Sequence, residues 1–373
     1  MIRCCFFCNG YFINFCRKLH IFSKQNNKIL KPKKYKNNTA GDRGGIALVS
    51  DASKIFLLNS TFDKMKSSIG SLIYSAENLG LFSIITNCIF QNNYGSLNII
   101  DSANTQYQIT NCEFYGNVNN LFNVDASYLS LVNLTIKNQK CFSSQQGCVF
   151  KAIGNSKLYL SNFNIEDVDS MTTGNIYIEN SFLFFENSSL AKTYNKYFEG
   201  GCIYAVGGTV SIAQANFSQF SINCILFENK GNLTIFNSIF DNQLNALIFS
   251  SKKNQKGMIL LDSVSYVNIN KSKMCNSKGA IDGAALMIVM NKLFFTNQVL
   301  IISNNEFISN NAENLGGAIY LFNANVSIFN NKFLKNKATE GGGIYCNNDG
   351  IYFYFLGVII MFFSFKKYKC SNI

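Results

Sequence analysis

The feature that most constrains the fold of this chain is a short pattern, apolar-x-Asn-x-x-Phe, that recurs along most of its length. Clear copies read ITNCIFQNN at 85–93, ITNCEFYGN at 109–117 and IFNNKFLKN at 328–336. Self-similarity with a period of roughly 20–50 residues is typical of solenoids, propellers and repeat arrays. Aligning the copies places the central position of the pattern, here named the anchor, at Asn59, Asn87, Asn111, Asn133, Asn162, Asn187, Gln214, Asn237, Asp262, Asn304 and Asn330.

A second motif keeps step with the anchors. It reads GGCIY at 200–204, GGAIY at 316–320 and GGIY at 342–345, with looser copies elsewhere. Each unit therefore holds two or three short strands separated by Gly- and Asn-rich corners. Strands this short, without helical periodicity between them, indicate stacked β rungs.

These repeats predict an all-β fold, a right-handed single-stranded parallel β-helix of about eleven rungs. Asn suits the corners because it tolerates the left-handed backbone region and because stacked amides can bond to each other. A Phe three residues after the anchor is expected to stack inside the solenoid. A propeller or sandwich is the competing fold, although its turns recur about every 8–12 residues. The predicted structural ladder comprises Asn59, Asn87, Asn111, Asn133, Asn162, Asn237, Asn304, Asn330, Phe62, Phe90, Phe114, Phe240, Phe307 and Phe333.

The GGAI signature at 316–319 and the FxxN signature at 307–310 resemble the repeats of polymorphic outer-membrane proteins. More broadly, the chain is similar to pectin-lyase-like parallel β-helix repeat proteins and to ciliate repeat-bearing surface and transmembrane proteins. The resemblance covers about residues 44–349. It implies a right-handed β-helix that is displayed outside the cytoplasm.

The positive charge lies in the two ends of the chain. The net charge is +12, of which residues 1–43 carry +9 and residues 350–373 carry +3. Residues 44–349 hold 20 Lys and 20 Asp or Glu, which cancel. A nucleic-acid-binding protein is expected to carry its basic stripe on the folded surface. The distribution therefore argues against a nucleic-acid partner and fits a membrane flank better.

The repeat region lacks the residues that β-helix enzymes of the resembled families use. The resemblance implies an Arg base with calcium in the lyases, and grouped Asp with a nearby His in the galacturonase-like hydrolases. All three arginines and the single histidine, His20, lie upstream of residue 44. We therefore expect no enzyme and no cofactor. The leading interpretation is a non-catalytic, membrane-displayed surface, adhesion or structural protein; the alternative is a polysaccharide-active lyase- or hydrolase-like enzyme or its inactive carbohydrate-binding relative.

Two groups of residues in the sequence contain side chains that can bind metal ions. One tight acidic group in the sequence comprises Glu166, Asp167 and Asp169. Its position favours a solvated corner and indicates a calcium site only weakly. Cys5, Cys8, Cys16 and His20 could offer four zinc ligands, but their spacing matches no common finger.

Two cysteines and one long gap between anchors carry further expectations. Cys88 and Cys112 both follow an anchor, so they are expected to point inward on neighbouring rungs, as free thiols in preference to a disulfide. The gap of 42 residues after Asp262 predicts a protruding loop at 270–282, which is the expected contact site for a carbohydrate or protein ligand.

The composition divides the chain into three regions. Residues 1–43 form a basic, Cys-containing lead-in that reads as a poor signal sequence with a disordered part. Residues 44–349 form the repeat domain. Residues 350–373 hold an apolar run at 351–365 followed by lysines, which predicts a short C-terminal transmembrane helix, a membrane location and an extracytoplasmic repeat domain. A last buried rung is the alternative for 351–365.

Overall fold

The repeats fold into a β-helical solenoid in a computed structural model of the chain. The structure describes residues 7–8, 11–12, 34–37, 39–40, 46–49, 55–67, 72–76, 82–142, 146–170, 174–195, 201–220, 223–241, 257–278, 280–291, 298–347, 354–356 and 359–361. Throughout these ranges the regular structure consists of β-strands.

The first third of the chain supplies thirteen strands. They are β1 (Phe7–Cys8), β2 (Tyr11–Phe12), β3 (Lys34–Lys36), β4 (Thr39–Ala40), β5 (Ala47–Val49), β6 (Phe56–Leu58), β7 (Thr61–Asp63), β8 (Lys66–Ser67), β9 (Ile73–Ala76), β10 (Phe82–Thr86), β11 (Ile89–Gln91), β12 (Tyr94–Ala103) and β13 (Gln106–Tyr115).

The middle third holds the longest strands. They are β14 (Val118–Asp125), β15 (Tyr128–Cys141), β16 (Phe150–Ile153), β17 (Lys157–Ser170), β18 (Ile176–Glu179), β19 (Phe182–Glu186), β20 (Ser189–Asn195), β21 (Ile203–Val206), β22 (Thr209–Ala213), β23 (Asn216–Phe220), β24 (Ile225–Glu228), β25 (Asn232–Phe236) and β26 (Ile239–Asp241).

The last third completes the solenoid. Its strands are β27 (Ile259–Asp262), β28 (Tyr266–Asn270), β29 (Lys273–Cys275), β30 (Ala280–Asp282), β31 (Leu286–Val289), β32 (Val299–Ser303), β33 (Glu306–Ile308), β34 (Ala312–Leu315), β35 (Ile319–Phe322), β36 (Ser327–Phe329), β37 (Lys332–Leu334), β38 (Ile344–Asn347), β39 (Tyr354–Leu356) and β40 (Ile359–Met361).

Strands pair with the equivalent strand one coil away, so the described strands build one parallel sheet of 36 strands that winds around a core. We name its three faces by the order of strands within a coil. Face A includes β10, β19, β22, β25, β28 and β32; face B follows the anchor corner and includes β7, β11, β26, β29 and β33; face C includes β16, β18, β21, β24, β27, β31 and β35. This arrangement confirms the predicted all-β parallel β-helix.

The corner after face A has the left-handed backbone that the pattern predicted. Asn59, Asn87 and Asn111 have φ angles of 48°, 53° and 51°. Their amides form a ladder, because Asn87 Nδ2 donates to Asn59 Oδ1 at 2.9 Å and Asn111 Nδ2 donates to Asn87 Oδ1 at 3.2 Å. Asn133 Nδ2 extends the ladder to Asn111 Oδ1 at 3.0 Å. The remaining predicted asparagines, Asn162, Asn237, Asn304 and Asn330, also have positive φ.

The phenylalanines that follow the anchors point into the core. Phe62, Phe90 and Phe114 form a continuous stack with centroid distances of 4.9 and 4.8 Å. Phe240 stacks on Phe217 at 4.8 Å in a second segment. Phe307 and Phe333 stack at 5.0 Å in a third segment.

The second corner explains the FxxN signature. The Asn that closes it is buried, and its Oδ1 accepts a hydrogen bond from a main-chain N–H of the preceding coil. Met65 N donates to Asn93 Oδ1 at 2.9 Å, and Asn93 N donates to Asn117 Oδ1 at 3.0 Å. Asn310 does the same for Ser277 at 3.2 Å. These side chains satisfy main-chain donors that would otherwise be buried without a partner at the turn.

One anchor was assigned wrongly. Asp262 is the last residue of β27 on face C and pairs with Glu228, so it is not at the anchor corner. The anchor of that coil is Lys271, with φ 50°. The anchors Asn237 and Lys271 are followed by Ser238 and Ser272, which are 34 residues apart. This coil is therefore long, and the expected gap of 42 residues between anchors does not exist.

The expected protruding loop is also wrong. Residues 270–282 contain β29 and β30, and β29 pairs in parallel with β26 and β33. This segment is therefore part of the solenoid wall.

At the C-terminal end the sheet continues where a transmembrane helix was predicted. Strands β39 and β40 pair in parallel with β36 and β37. No helix in the described ranges is long and apolar enough to cross a bilayer. The pairing at 354–356 and 359–361 favours the alternative of a last rung for this segment. The sheet begins upstream of residue 44, because β3 pairs with β7.

Candidate functional site

Three carboxylates share one outward-facing row at the end of face C. The strand register places Glu179 next to Val206, Val206 next to Glu228, and Glu228 next to Asp262. We name Glu179, Glu228 and Asp262 the acid row. Alternation along each strand turns these side chains outward, and all three are half-buried, whereas their neighbours on the chain, such as Ile178 and Phe227, are fully buried.

The coil spacing sets the separations within the acid row. Neighbouring coils lie about 4.8 Å apart, so Glu228 and Asp262 are about one coil apart and Glu179 and Glu228 are about two coils, roughly 9.6 Å, apart at the backbone. Val206 stands between the two glutamates.

Each carboxylate of the acid row accepts a hydrogen bond from a hydroxyl group. Tyr177 Oη donates to Glu179 Oε2 at 3.0 Å, and Tyr204 Oη donates to Glu228 Oε2 at 2.8 Å. Ser263 Oγ donates to Asp262 Oδ1 at 2.8 Å. Each of these bonds fixes the orientation of a carboxylate oxygen.

Two tyrosines precede the row by two positions on the same outward side of their strands. Tyr177 and Tyr204 are paired in register, and their rings meet edge to face with centroids 5.5 Å apart. Tyr177 is only 4% exposed. Burial, followed by the hydrogen bond to Glu179 and the charge of that carboxylate, raises the pKa of Tyr177 to about 12. The Tyr177 hydroxyl therefore stays protonated, and remains a donor, through the neutral range.

The sequence alone did not identify this site. The visible signal is an acid at the end of three apolar strands, IYIE at 176–179, ILFE at 225–228 and ILLD at 259–262. Because the sequence pattern placed Asp262 at the anchor corner, this residue was not aligned with Glu179 and Glu228. Loops of different length between the strands hid the rest.

The weak calcium candidate is not assembled as a ligand group. Glu166 is held by two lysines, with Lys137 Nζ at 3.1 Å and Lys192 Nζ at 2.8 Å. These cations lower the pKa of Glu166, hydrogen bonding from Lys192 being the largest cause. Asp167 is the corner residue and has a left-handed backbone. Asp169 lies in strand register with Lys140 on one side and Tyr194 on the other. Among the residues that the structure describes, no three His, Cys, Asp or Glu side chains are grouped as metal ligands.

The structure brings Cys88 and Cys112 together in the core. Both are buried free thiols, and Cys88 N donates to Cys112 Sγ at 3.4 Å. A disulfide that was not expected joins Cys141 and Cys148. The zinc candidates Cys5, Cys16 and His20 lie outside the described residues, and of Cys8 only the strand position is described.

No protein-family model and no curated protein sequence matches the chain. A solved structure similar to it is the catalytic domain of a GH87 alpha-1,3-glucanase, a D1068A variant in complex with tetrasaccharides. The identity is 12%, the TM-score is 0.48, and the match covers 86% of this chain and 63% of that chain. The chain therefore spans less than two thirds of that domain, and the likeness concerns the β-helix fold.

This comparison corrects the expectation that the chain is not an enzyme, since the similar structure is a glycoside hydrolase catalytic domain. The expectation rested on the missing Arg and His of the repeat region. Glycosidic hydrolysis needs a pair of carboxylates and neither of those residues. The missing residues therefore do not exclude catalysis. The resemblance to outer-membrane and ciliate repeat families gains no support from the comparisons.

Proposed function

We propose that the chain is a polysaccharide-active β-helix protein that hydrolyses glycosidic bonds at the acid row. The observation that carries the proposal is the register that lines up Glu179, Glu228 and Asp262 on one outward face. A solenoid face of this kind is extended along its axis, which suits a polymer that lies across several coils.

Hydrolysis divides two tasks between two carboxyl groups. One protonates the leaving oxygen of the glycosidic bond, and the other draws a proton from the attacking water or attacks the sugar itself. Glu228 is the central member of the row and carries the shorter tyrosine contact, at 2.8 Å. We assign it the role of base.

The spacing selects the partner of Glu228. Inverting glycosidases hold their carboxyl groups about 6.5–9.5 Å apart to admit a water, whereas retaining enzymes hold them about 5–5.5 Å apart. Glu179 stands about two coils away across Val206, and this backbone separation of roughly 9.6 Å is closer to the inverting range than to the retaining one. Glu179 is therefore the proposed acid, and the reaction is expected to proceed with inversion.

The experiment measures release of reducing ends from a panel of neutral and acidic polysaccharides that includes α-1,3-glucan. We expect turnover with the wild-type chain and a loss of at least a hundredfold in Glu228→Gln and Glu179→Gln. The matched control is Glu113→Gln, which alters an exposed glutamate on face B. Equal rates in Glu228→Gln and wild type, or no turnover on any polymer, would contradict the proposal.

A further inference from the structure

Four aromatic rings form a continuous stripe on the outer surface of face A. Phe82 meets Tyr128 edge to face at 5.9 Å, Tyr128 meets Tyr159 at 5.2 Å, and Tyr159 stacks on Phe184 at 4.6 Å. We name these four residues the aromatic stripe. Phe82 is 43% exposed and the other three rings are half-buried. Exposed aromatic surface of this extent is typical of a binding site.

The stripe runs along the solenoid axis. Its residues lie on β10, β15, β17 and β19, and Gln106 of β13 occupies the coil between Phe82 and Tyr128. Five coils at a spacing of about 4.8 Å give a length of roughly 19 Å. A ligand that contacts all four rings must therefore be extended.

The surroundings of the rings are polar and nearly uncharged. Gln108 and Ser130 share one row with Tyr159, and Thr110 and Ser161 lie on the next row of the same coils. Among the described residues on these rows, Lys157 and Glu186 carry opposite charges. The Nζ of Lys157 lies 5.9 Å from the ring of Phe182. Hydroxyl and amide groups beside flat apolar rings complement a neutral polyhydroxylated chain.

The stripe also continues the proposed site. Glu179 of the acid row ends β18, and β19, which carries Phe184, begins at Phe182 after a corner of two residues. The stripe and the acid row therefore lie on adjoining faces and share one coil, that of Glu179 and Phe184, from which they extend in opposite directions along the axis.

We infer that the aromatic stripe is a second binding site for a neutral polysaccharide, which it holds along face A beside the acid row. The inference deepens the proposed function by naming the substrate class as a neutral glycan polymer. The role of the stripe in hydrolysis rests on the proposed function. The binding itself rests on the geometry of the stripe. The rings pack on the apolar faces of the sugars, and the Gln, Ser and Thr side chains bond to their hydroxyl groups.

The test is depletion of the full-length protein from solution by particles of insoluble neutral α-1,3-glucan and cellulose. We expect the wild-type protein to bind one or both kinds of particle. We expect the double variant Tyr159→Ala/Phe184→Ala to bind them at least about tenfold more weakly. Tyr115→Ala is the matched control, because Tyr115 is 48% exposed and lies on face B. Phe82→Ala, which removes the most exposed ring of the stripe, gives a second variant with little loss of packing.

The outcomes separate the binding site from the hydrolytic site. The stripe variants are expected to lose binding of the particles, whereas Glu228→Gln is expected to lose hydrolysis of short soluble oligosaccharides. Weakened binding in the stripe variants supports the inference even where no substrate is hydrolysed. Unchanged binding of Phe82→Ala and of the double variant would overturn it, as would equal binding of anionic polygalacturonate. A change in self-association alone, measured by sedimentation, would assign the stripe to a protein contact and also overturn it.

Discussion

Tyr204 donates a hydrogen bond to Glu228 on the next coil, with 2.8 Å between Oη and Oε2. The two residues are 24 positions apart in the sequence, and the parallel register alone brings them together. The contact joins the side chain that we assign as base to a fixed donor.

Tyr204→Phe is expected to lower kcat about tenfold and to lower the free energy of unfolding by no more than the contribution of that one hydrogen bond. A hydrogen bond to a charged group contributes about 1.5–3 kcal/mol, and about 1.4 kcal/mol corresponds to a factor of ten. Steady-state kinetics on the polymer that the wild type hydrolyses check the prediction. Tyr115→Phe, on face B, is the control. A kcat for Tyr204→Phe equal to that of the control would show that the contact has no part in the reaction.

The Asn ladder predicts unequal costs for two substitutions at Asn111. Asn111 donates to Asn87, accepts from Asn133 and has φ 51°. Asn111→Gly loses the ladder contacts and is expected to cost about 1 kcal/mol of unfolding free energy. Asn111→Ala also meets the penalty for a left-handed backbone, so about 2–3 kcal/mol is expected. Denaturant unfolding measures both variants. Equal costs would argue against the left-handed corner.

The Phe stack predicts a large cavity cost at Phe90, which is fully buried between Phe62 and Phe114. Phe90→Ala is expected to destabilise the protein by about 3–5 kcal/mol, and Phe90→Leu by much less, because most of the volume remains. Phe142→Ala is the control, since that ring is 60% exposed. Similar unfolding midpoints for Phe90→Ala and the control would place Phe90 outside the core.

Tyr177 predicts a pH dependence at the alkaline end. Its folded pKa of about 12 lies above the ordinary value of 10.0, with burial as the main cause. The group therefore contributes stability that is complete below about pH 10 and is lost as the pH rises through the folded pKa. Tyr177→Phe removes this contribution, so its stability should fall less steeply than that of the wild type between about pH 10 and pH 12. Parallel curves from chemical unfolding at several pH values would contradict the assignment.

The sequence was sufficient for the fold because the signals of a β-helix are local. Asn87 and Asn111 mark corners that need a left-handed backbone, and Phe90 and Phe114 mark the inward side of the strand that follows. A period of two dozen residues then requires the coils to stack. The wrong anchor at Asp262, and the loop expected from it, arose because the true corner residue is a lysine, Lys271, with the same backbone but without the amide.

The candidate site was beyond the reach of the sequence for a different reason. Glu179, Glu228 and Asp262 lie in a row only once the register of face C is known. The strands of face C are joined by connections of different lengths. No residue pattern in those connections predicts which residues become neighbours on adjacent coils. The aromatic stripe was missed for the same reason, because Tyr128 and Tyr159 meet across coils whose lengths differ from those of their neighbours.

The most direct test of the acid row follows the anomeric configuration of the first product by proton NMR, with wild type and Glu228→Gln on the best polymer of the panel. Spacing across Val206 predicts that the wild type releases a sugar of inverted configuration and that Glu228→Gln releases none. Retained configuration would move the partner role from Glu179 to Asp262. Release of product by Glu228→Gln at the wild-type rate would contradict the central claim that these aligned carboxylates carry the reaction.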